Sequence, residues 1–232
     1  MDNILEIRDL CKTYHEVPAL RGISLTLSRG RVVGLLGPNG SGKTTLIKLL
    51  MGLLTPTSGS IFIGGYPVGP ETKSHVAYLP DCDFLPTGKT VNELLTLYGD
   101  FFADFRRARA DEMLANLHID PTRKVKTLSK GNREKVALIL TMSRDADLYL
   151  LDEPIAGVDP ATRDYILRTI ISNYTEHSTV LISTHLIADV EPVLDDVIFL
   201  HEGQIRLCKP ADTVREETGK SVDEIFREVF RC

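Results

Sequence analysis

Alternating hydrophobic and polar residues open the chain, and a fully apolar run follows them. Residues 4–9 and 23–27 alternate, which predicts two half-buried antiparallel strands. Residues 32–36 are apolar throughout, a pattern typical of a central strand in a parallel sheet. Further short strands are predicted at residues 60–63 and 75–79. The first third of the chain therefore predicts a mixed sheet that begins with antiparallel strands.

Helical spacing replaces the strand pattern from residue 91. Apolar residues recur every three or four positions as far as His118, Pro121 ends that run, and a third helix is predicted to begin at Ser129. Beyond residue 144 the predicted elements are strands at 147–151, 180–183 and 197–200 and helices at 161–174 and 221–230. We expect a single α/β domain, in which a helical subdomain (84–144) interrupts a core formed by residues 1–83 and 145–232.

The last predicted helix has one apolar face. Its hydrophobic residues follow the helical spacing i, i+3, i+4, i+7, i+8: Val222, Ile225, Phe226, Val229 and Phe230. We expect this face to pack on its own domain. Binding to a partner or to a membrane surface is the alternative.

Residues 37–45 read Gly-Pro-Asn-Gly-Ser-Gly-Lys-Thr-Thr and connect the apolar strand to a helix predicted from Lys43 to about residue 51. The glycines let backbone N–H groups turn inward around a phosphate, and the helix adds its positive end. Lys43 would reach the β- and γ-phosphates, and the Thr44 hydroxyl would ligate Mg²⁺. The alternative is a glycine-rich turn that contains Lys-Thr by chance. The predicted phosphate-binding residues are Gly37, Pro38, Asn39, Gly40, Ser41, Gly42, Lys43, Thr44 and Thr45.

Polar side chains also follow two later strands. Asp152 and Glu153 end the strand at 147–151, where ligands of open α/β sheets bind. Asp152 would hold Mg²⁺ and Glu153 would face an attacking water, since hydrolysis needs a second acid beside the metal ligand. His185 ends the next strand and would reach the γ-phosphate. The alternatives are two solvated acids and a structural histidine.

The segment 128–132, Leu-Ser-Lys-Gly-Asn, precedes an amphipathic helix. Ser129 stands where a helix N-cap belongs, and Gly131 leaves backbone amides open to an approaching anion. Simple capping is one interpretation and an anion site is the other. An anion site so far along the chain from residues 37–45 makes sense if it serves the nucleotide of a second copy.

The composition narrows the choice of partners. The formal net charge of −5 and the absence of a dominant basic patch argue against nucleic acid. Four scattered cysteines suit a reducing compartment. Neither a signal peptide nor an apolar run near the roughly 18 residues of a membrane span is found, so we expect a soluble protein.

Together these motifs resemble those of the nucleotide-binding subunit of an ATP-binding cassette (ABC) transporter, over nearly all 232 residues. The matching segments are Walker A at 37–45, the signature at 128–132, Walker B at Asp152 and Glu153, the D-loop at 156–159 with Asp159, the switch histidine His185, and Tyr14 as the aromatic that stacks on adenine.

The resemblance implies a P-loop ATPase core with an N-terminal antiparallel β subdomain and an inserted α-helical subdomain. It further implies ATP and Mg²⁺ as cofactors, with Lys43, Glu153 and His185 as catalytic residues. Two subunits, identical or paralogous, would form a head-to-tail dimer with ATP held between Walker A of one and Ser129 and Gly131 of the other. A transmembrane permease would hold the dimer at the inner face of the cell membrane.

The chain departs from the family pattern at three positions. Asp81 stands where the Q-loop glutamine is usual, and Lys130 and Asn132 replace the usual glycine and glutamine of the signature. We assign Asp81, with Thr44 and Asp152, to the metal. An acidic residue after Tyr-Leu-Pro is similar to a branch of bacterial exporters and favours export.

The surface that would contact the permease is predicted at residues 81–86 and the helix after Val91. Phe84 and Leu85 are either docking residues or packing residues of that segment. Two rival functions are a soluble ABC ATPase that remodels nucleic acid or ribosomes, and a P-loop kinase.

Overall fold

The computed structural model describes residues 3–156, 158–173 and 175–230. Gly157 of the predicted D-loop, Tyr174 of a predicted helix, and the terminal residues Met1, Asp2, Arg231 and Cys232 lie outside these ranges. In the described part, no helix has the length and apolar character needed to cross a membrane.

The strands are β1 (Asn3–Tyr14), β2 (Val17–Ser28), β3 (Val32–Leu36), β4 (Ser58–Ile63), β5 (Tyr66–Pro67), β6 (Val76–Leu79), β7 (Leu148–Asp152), β8 (Thr179–Thr184), β9 (Asp196–His201) and β10 (Gln204–Pro210). The helices are α1 (Lys43–Leu50), α2 (Thr72–His75), α3 (Val91–Phe101), α4 (Arg107–Asn116), α5 (Lys130–Met142), α6 (Pro160–Asn173), α7 (Ile187–Val190), α8 (Ala211–Thr218) and α9 (Val222–Val229). Short 3₁₀ turns occur at Val125–Thr127 and Glu191–Val193.

The strands form two sheets. The first is antiparallel, in the order β2-β1-β4-β5, and the second has the order β10-β9-β3-β8-β7-β6. In the second sheet the strands from β9 to β6 run parallel and only β10 pairs antiparallel. The predicted mixed α/β fold with an antiparallel N-terminal sheet is confirmed.

The core lies on both faces of the second sheet, because successive side chains of a strand point to opposite faces. In β3, Val32 and Leu36 belong to one hydrophobic cluster, and Val33 and Leu35 belong to the other. The first cluster contains α3 to α6, and the second contains α1 and the antiparallel sheet. Burial on both faces explains why β3 is apolar at every side-chain-bearing position.

Arg144 connects the helices after residue 91 to the parallel sheet. Its side chain is only 4% exposed and pairs with Asp104 at 3.0 Å. The same guanidinium donates to the Val76 carbonyl of β6 at 2.6 Å and lies 4.0 Å over the Phe102 ring. These contacts fix the orientation of the helical segment, although the division into 1–83, 84–144 and 145–232 remains a prediction.

The C-terminal helix α9 packs on its own domain, as expected. Val222 and Ile225 are buried, and Phe226 and Phe230 contact Phe199 of β9 at ring-centroid distances of 5.4 and 5.8 Å. Val229 is the exception, since 48% of it is exposed.

Two of the predicted docking residues contact the protein's own core. Leu85 is 5% exposed, and Phe84 is partly buried against the same cluster. Both therefore pack against the helical segment in this structure.

Candidate nucleotide-binding site

The glycine-rich turn lies between the end of β3 at Leu36 and the start of α1 at Lys43. Gly42 has φ +109°, a conformation that residues with a side chain rarely adopt. A Cβ there would lie 2.8 Å from the Leu20 side chain and 2.9 Å from the Ala19 carbonyl oxygen. Glycine is therefore required at this position by the fold itself, whatever the turn binds.

Lys43 is held over the turn. Its side chain is 6% exposed, and Nζ donates to the carbonyl oxygens of Gly37 at 2.8 Å and Pro38 at 3.3 Å. Burial lowers the pKa of Lys43 from 10.5, while the Glu153 and Asp152 carboxylates oppose that shift. The ammonium group therefore lies beside the turn in which we expect the phosphates of a nucleotide to bind.

Asp152 is positioned at the end of β7 and is 1% exposed. Its Oδ1 accepts hydrogen bonds from the hydroxyl groups of Ser183 and, at 3.4 Å, Thr44. Its Oδ2 is buried and has no hydrogen-bond partner among the residues that the structure describes. A buried carboxylate oxygen without a partner costs free energy that a cation would recover, and Mg²⁺ prefers carboxylate and hydroxyl oxygens. Thr44 and Asp152 therefore fit a magnesium ion.

Glu153 follows Asp152 in a strained conformation, with φ +51°. Its backbone N–H donates to the Ser183 carbonyl at 2.9 Å, which fixes the residue against β8. The carboxylate is 9% exposed and lies 3.0 Å from His185 Nδ1 and 3.7 Å from Lys43 Nζ. Strain of this kind persists where neighbouring contacts over-determine the backbone, often at functional sites.

Lys43 and Glu153 line a pocket of about 320 Å³, and Asp152 lies behind it in contact with Thr44. The pocket is lined by residues 39–45 and by Ala19, Asp81, Glu153, Ala156 and His185. Pockets that bind small ligands begin at about 300 Å³. Partial burial raises the pKa of the Asp81 carboxyl, and the nearby carboxylates Asp152 and Glu153 raise it further.

The model of a family described as "ABC transporter" matches residues 20–156, more than half of the chain. The chain belongs to the ABC transporter family. Two relatives support this assignment. The chain is 32% identical over 232 residues to Nod factor export ATP-binding protein I of Cupriavidus pinatubonensis (96% of this chain, 71% of the relative). It is 30% identical to ABC transporter ATP-binding protein YtrB of Bacillus subtilis (92% and 74%).

Solved structures give the same result. An ATP-binding subunit of an ABC transporter superposes with a TM-score of 0.89 at 30% identity, covering 98% of this chain and all of the other. A nucleotide-free ATP-binding cassette at 23% identity has a TM-score of 0.80, covering 94% and 96%, and supports the fold alone. The protein is therefore an ABC ATPase, the ATP-binding subunit of a transporter.

Most of the predicted site residues of this ABC ATPase meet in one place. The pocket lining includes seven of the nine Walker A residues together with Asp81, Glu153 and His185. Gly37 and Pro38 contribute through the carbonyl oxygens that hold Lys43.

Ser129 and Gly131 do not line this pocket. Ser129 is exposed and caps α5, accepting a hydrogen bond from the Asn132 N–H at 3.3 Å. A Cβ added to Gly131 would meet nothing within 4 Å. The described residues of one copy of the chain therefore give Gly131 no steric reason to be glycine.

Tyr14 and Asp159 also lie away from the pocket lining. Tyr14 is 41% exposed at the end of β1, with Lys12 Nζ 5.2 Å from its ring centroid. Asp159 caps α6 through the N–H and hydroxyl of Thr162, at 3.1 and 2.6 Å. These hydrogen bonds lower the pKa of Asp159.

The sequence analysis missed two contributors to the site. Ser183 contacts Asp152 and Glu153 from the adjacent strand, and Ala19 of β2 forms part of the pocket wall. The signal for Ser183 was present, because a polar residue at the end of an otherwise apolar buried strand needs a partner. Ala19 carries no such signal.

Proposed function

We propose that this chain binds and hydrolyses ATP to power a membrane exporter. The arrangement of Glu153 carries the proposal: its carboxylate lies between Lys43 and His185, next to a buried Asp152 oxygen that lacks a partner. The name of the Cupriavidus relative, an export ATP-binding protein, supports export as the direction.

Each side chain has a role that follows from its position. Lys43 neutralises phosphate charge, and Glu153 accepts a hydrogen bond from the attacking water and polarises it. His185 holds the Glu153 carboxylate and contacts the γ-phosphate. Thr44, Asp152 and Asp81 form the metal set, and Mg²⁺ supplies charge neutralisation of the phosphates when bound.

A head-to-tail dimer would complete the site. Ser129 and the unobstructed Gly131 lie outside the pocket, at the exposed N-terminus of α5. Backbone amides at a helix N-terminus attract anions, so we assign them, with Asp159, to the nucleotide held by a second subunit. Tyr14 would stack on the adenine.

ATP would then stabilise the closed dimer, and hydrolysis would release it, because ATP and ADP differ in affinity for the closed state. The motion would be passed to a transmembrane permease at the cytoplasmic face of the membrane. The net charge of −5 gives no reason to expect nucleic acid as a partner. The transporter names of the relatives do not favour the nucleic-acid-remodelling alternative.

The test is the ATPase rate of the Glu153→Gln variant. We expect kcat to fall by roughly 10²–10⁴-fold, because the water loses its carboxylate acceptor. Glu202→Gln is the matched control, since Glu202 is also a glutamate with positive φ (+47°) but is exposed and lies away from the pocket lining. Turnover of Glu153→Gln near that of the control would remove Glu153 from this role.

A further inference from the structure

A second cavity, of about 290 Å³, lies between the loop after β6 and the start of α5. Asp81 and Asp83 line it from the loop, and Lys130 and Arg133 line it from the helix. Asp81 lines the nucleotide pocket as well. Glu153 and Ala156 also line both cavities, and Asp152 lines the second. The two cavities therefore adjoin, and Asp81 belongs to the wall that they share.

One ion pair already joins the two walls. Arg133 Nε lies 2.6 Å from Asp83 Oδ2, and Arg133 Nη1 donates to the Leu128 carbonyl at 2.9 Å. The same guanidinium therefore contacts the loop and the residue that precedes Ser129.

Lys130 and Asp81 repeat this charge pattern nearer the nucleotide pocket. Lys130 precedes Arg133 by three positions, so the two share one face of α5. Lys130 Nζ lies 3.7 Å from Glu134 Oε1, and the Lys130 side chain is 73% exposed. The ammonium group is thus only loosely held by its own helix and faces the cavity that Asp81 lines.

We propose that Lys130 is a positioning residue for Asp81. Its ammonium group adds positive charge on the side of the second cavity, whereas Lys43 and His185 lie with Asp81 around the nucleotide pocket. Two departures from the family pattern then compensate each other, because the usual glutamine and glycine are both neutral. The pair also connects the place of Asp81 to the Ser129 turn through the first turn of α5. Only its effect on catalysis rests on the proposed function.

The decisive experiment is a double-mutant cycle on the ATPase rate of the full chain, with Asp81→Asn, Lys130→Gln and the double variant. Each single change removes one member of the opposite-charge pair and leaves the other, so each should lower kcat by a factor of about 3 to 30. The double variant should be no slower than the slower single variant. KM for ATP should change less than kcat in Lys130→Gln, because the Walker A contacts are intact.

Lys126→Gln is the matched control, since Lys126 is exposed, lies near the same helix and does not line the cavity. It should leave kcat and KM unchanged. A double variant whose loss equals the product of the two single losses would overturn the proposal, as would a Lys130→Gln rate equal to that of the control.

Hydrogen–deuterium exchange of the nucleotide-free chain gives a second readout that needs no turnover. Lys130→Gln should speed exchange of the amides at residues 81–85, and adding Asp81→Asn should return them towards wild type. Equal exchange in wild type and Lys130→Gln would contradict the charge pair. If wild type hydrolysed no ATP, the proposed function would fail while this exchange measurement still decided the pairing.

Discussion

The Gly131→Ala variant distinguishes the folding stability of a single chain from the ATPase activity of the proposed dimer. Gly131 is the second residue of α5, and an added Cβ would meet nothing within 4 Å. Alanine is favoured over glycine in helices by about 0.5–1 kcal/mol, because it loses less backbone entropy on folding. We expect the variant to gain stability at the lower end of that range, since the position lies in the first turn.

The same methyl group would stand between the Gly131 backbone and a phosphate held by a second subunit. Displacements near 1 Å at a reacting group cost about 10²-fold in rate. We therefore expect ATPase activity to fall by roughly 10–100-fold while the unfolding midpoint rises. Urea unfolding followed by circular dichroism measures the first effect, and a coupled phosphate-release assay measures the second.

Gly99→Ala is the control for this experiment. Gly99 lies in α3, where an added Cβ would meet only Phe105 Cδ1, at an ordinary 3.8 Å. It should gain similar stability and keep wild-type turnover. Full activity in Gly131→Ala would refute the assignment of this turn to a partner's nucleotide, and a loss of stability would refute the claim that its surroundings are open.

Two further predictions concern stability alone. Arg144→Met should destabilise the chain by about 3 kcal/mol in urea unfolding, because it breaks a buried ion pair whose arginine is 4% exposed. Arg106→Met should cost less than about 1 kcal/mol, because the arginine of the Arg106–Asp145 ion pair is 58% exposed. Equal losses of stability in the Arg144 and Arg106 variants would contradict this account. Burial raises the pKa of Tyr78 from 10.0 to about 12, so the folded state favours the protonated hydroxyl. The stability that this group contributes is complete below pH 10 and is lost as pH rises towards 12. Tyr78→Phe should therefore lose less stability than wild type between pH 10 and pH 12, and identical losses would show that the Tyr78 hydroxyl is not involved.

The helices and strands that could be predicted from the sequence are those in which buried positions are apolar and exposed positions are polar. β3 and the middle of β7 and β8 are apolar because both faces of their sheet are covered, and the polar residues of β7 and β8 stand at the strand ends. β3 was predicted with its observed bounds. The edge strand β10 and the helix α8 were missed. Much of β10 is exposed, and only Ala211 and Val214 of α8 are buried, so neither carries a strong hydrophobic period.

The residues of the candidate site could be predicted only where they stand at the ends of predicted strands. Residues 37–45, Asp152, Glu153 and His185 could be located because strand ends of a parallel sheet meet at one edge. The contact of Ser183 with Asp152, and the cavity that Asp81 shares with Lys130, join segments distant along the chain. The first depends on the register between β7 and β8, and the second depends on the packing of α5 against the loop after β6, neither of which a local pattern encodes.

The central proposal is that two subunits share each nucleotide, and two copies of this chain are the form of it that can be tested with this protein alone. Light scattering of the Glu153→Gln variant tests it most directly, measured with ATP and Mg²⁺ and again with ADP. We expect twice the monomer mass with ATP, because slow hydrolysis holds the closed state, and the monomer mass with ADP. A monomer under both conditions, at protein concentrations where ATP is fully bound, would contradict the account.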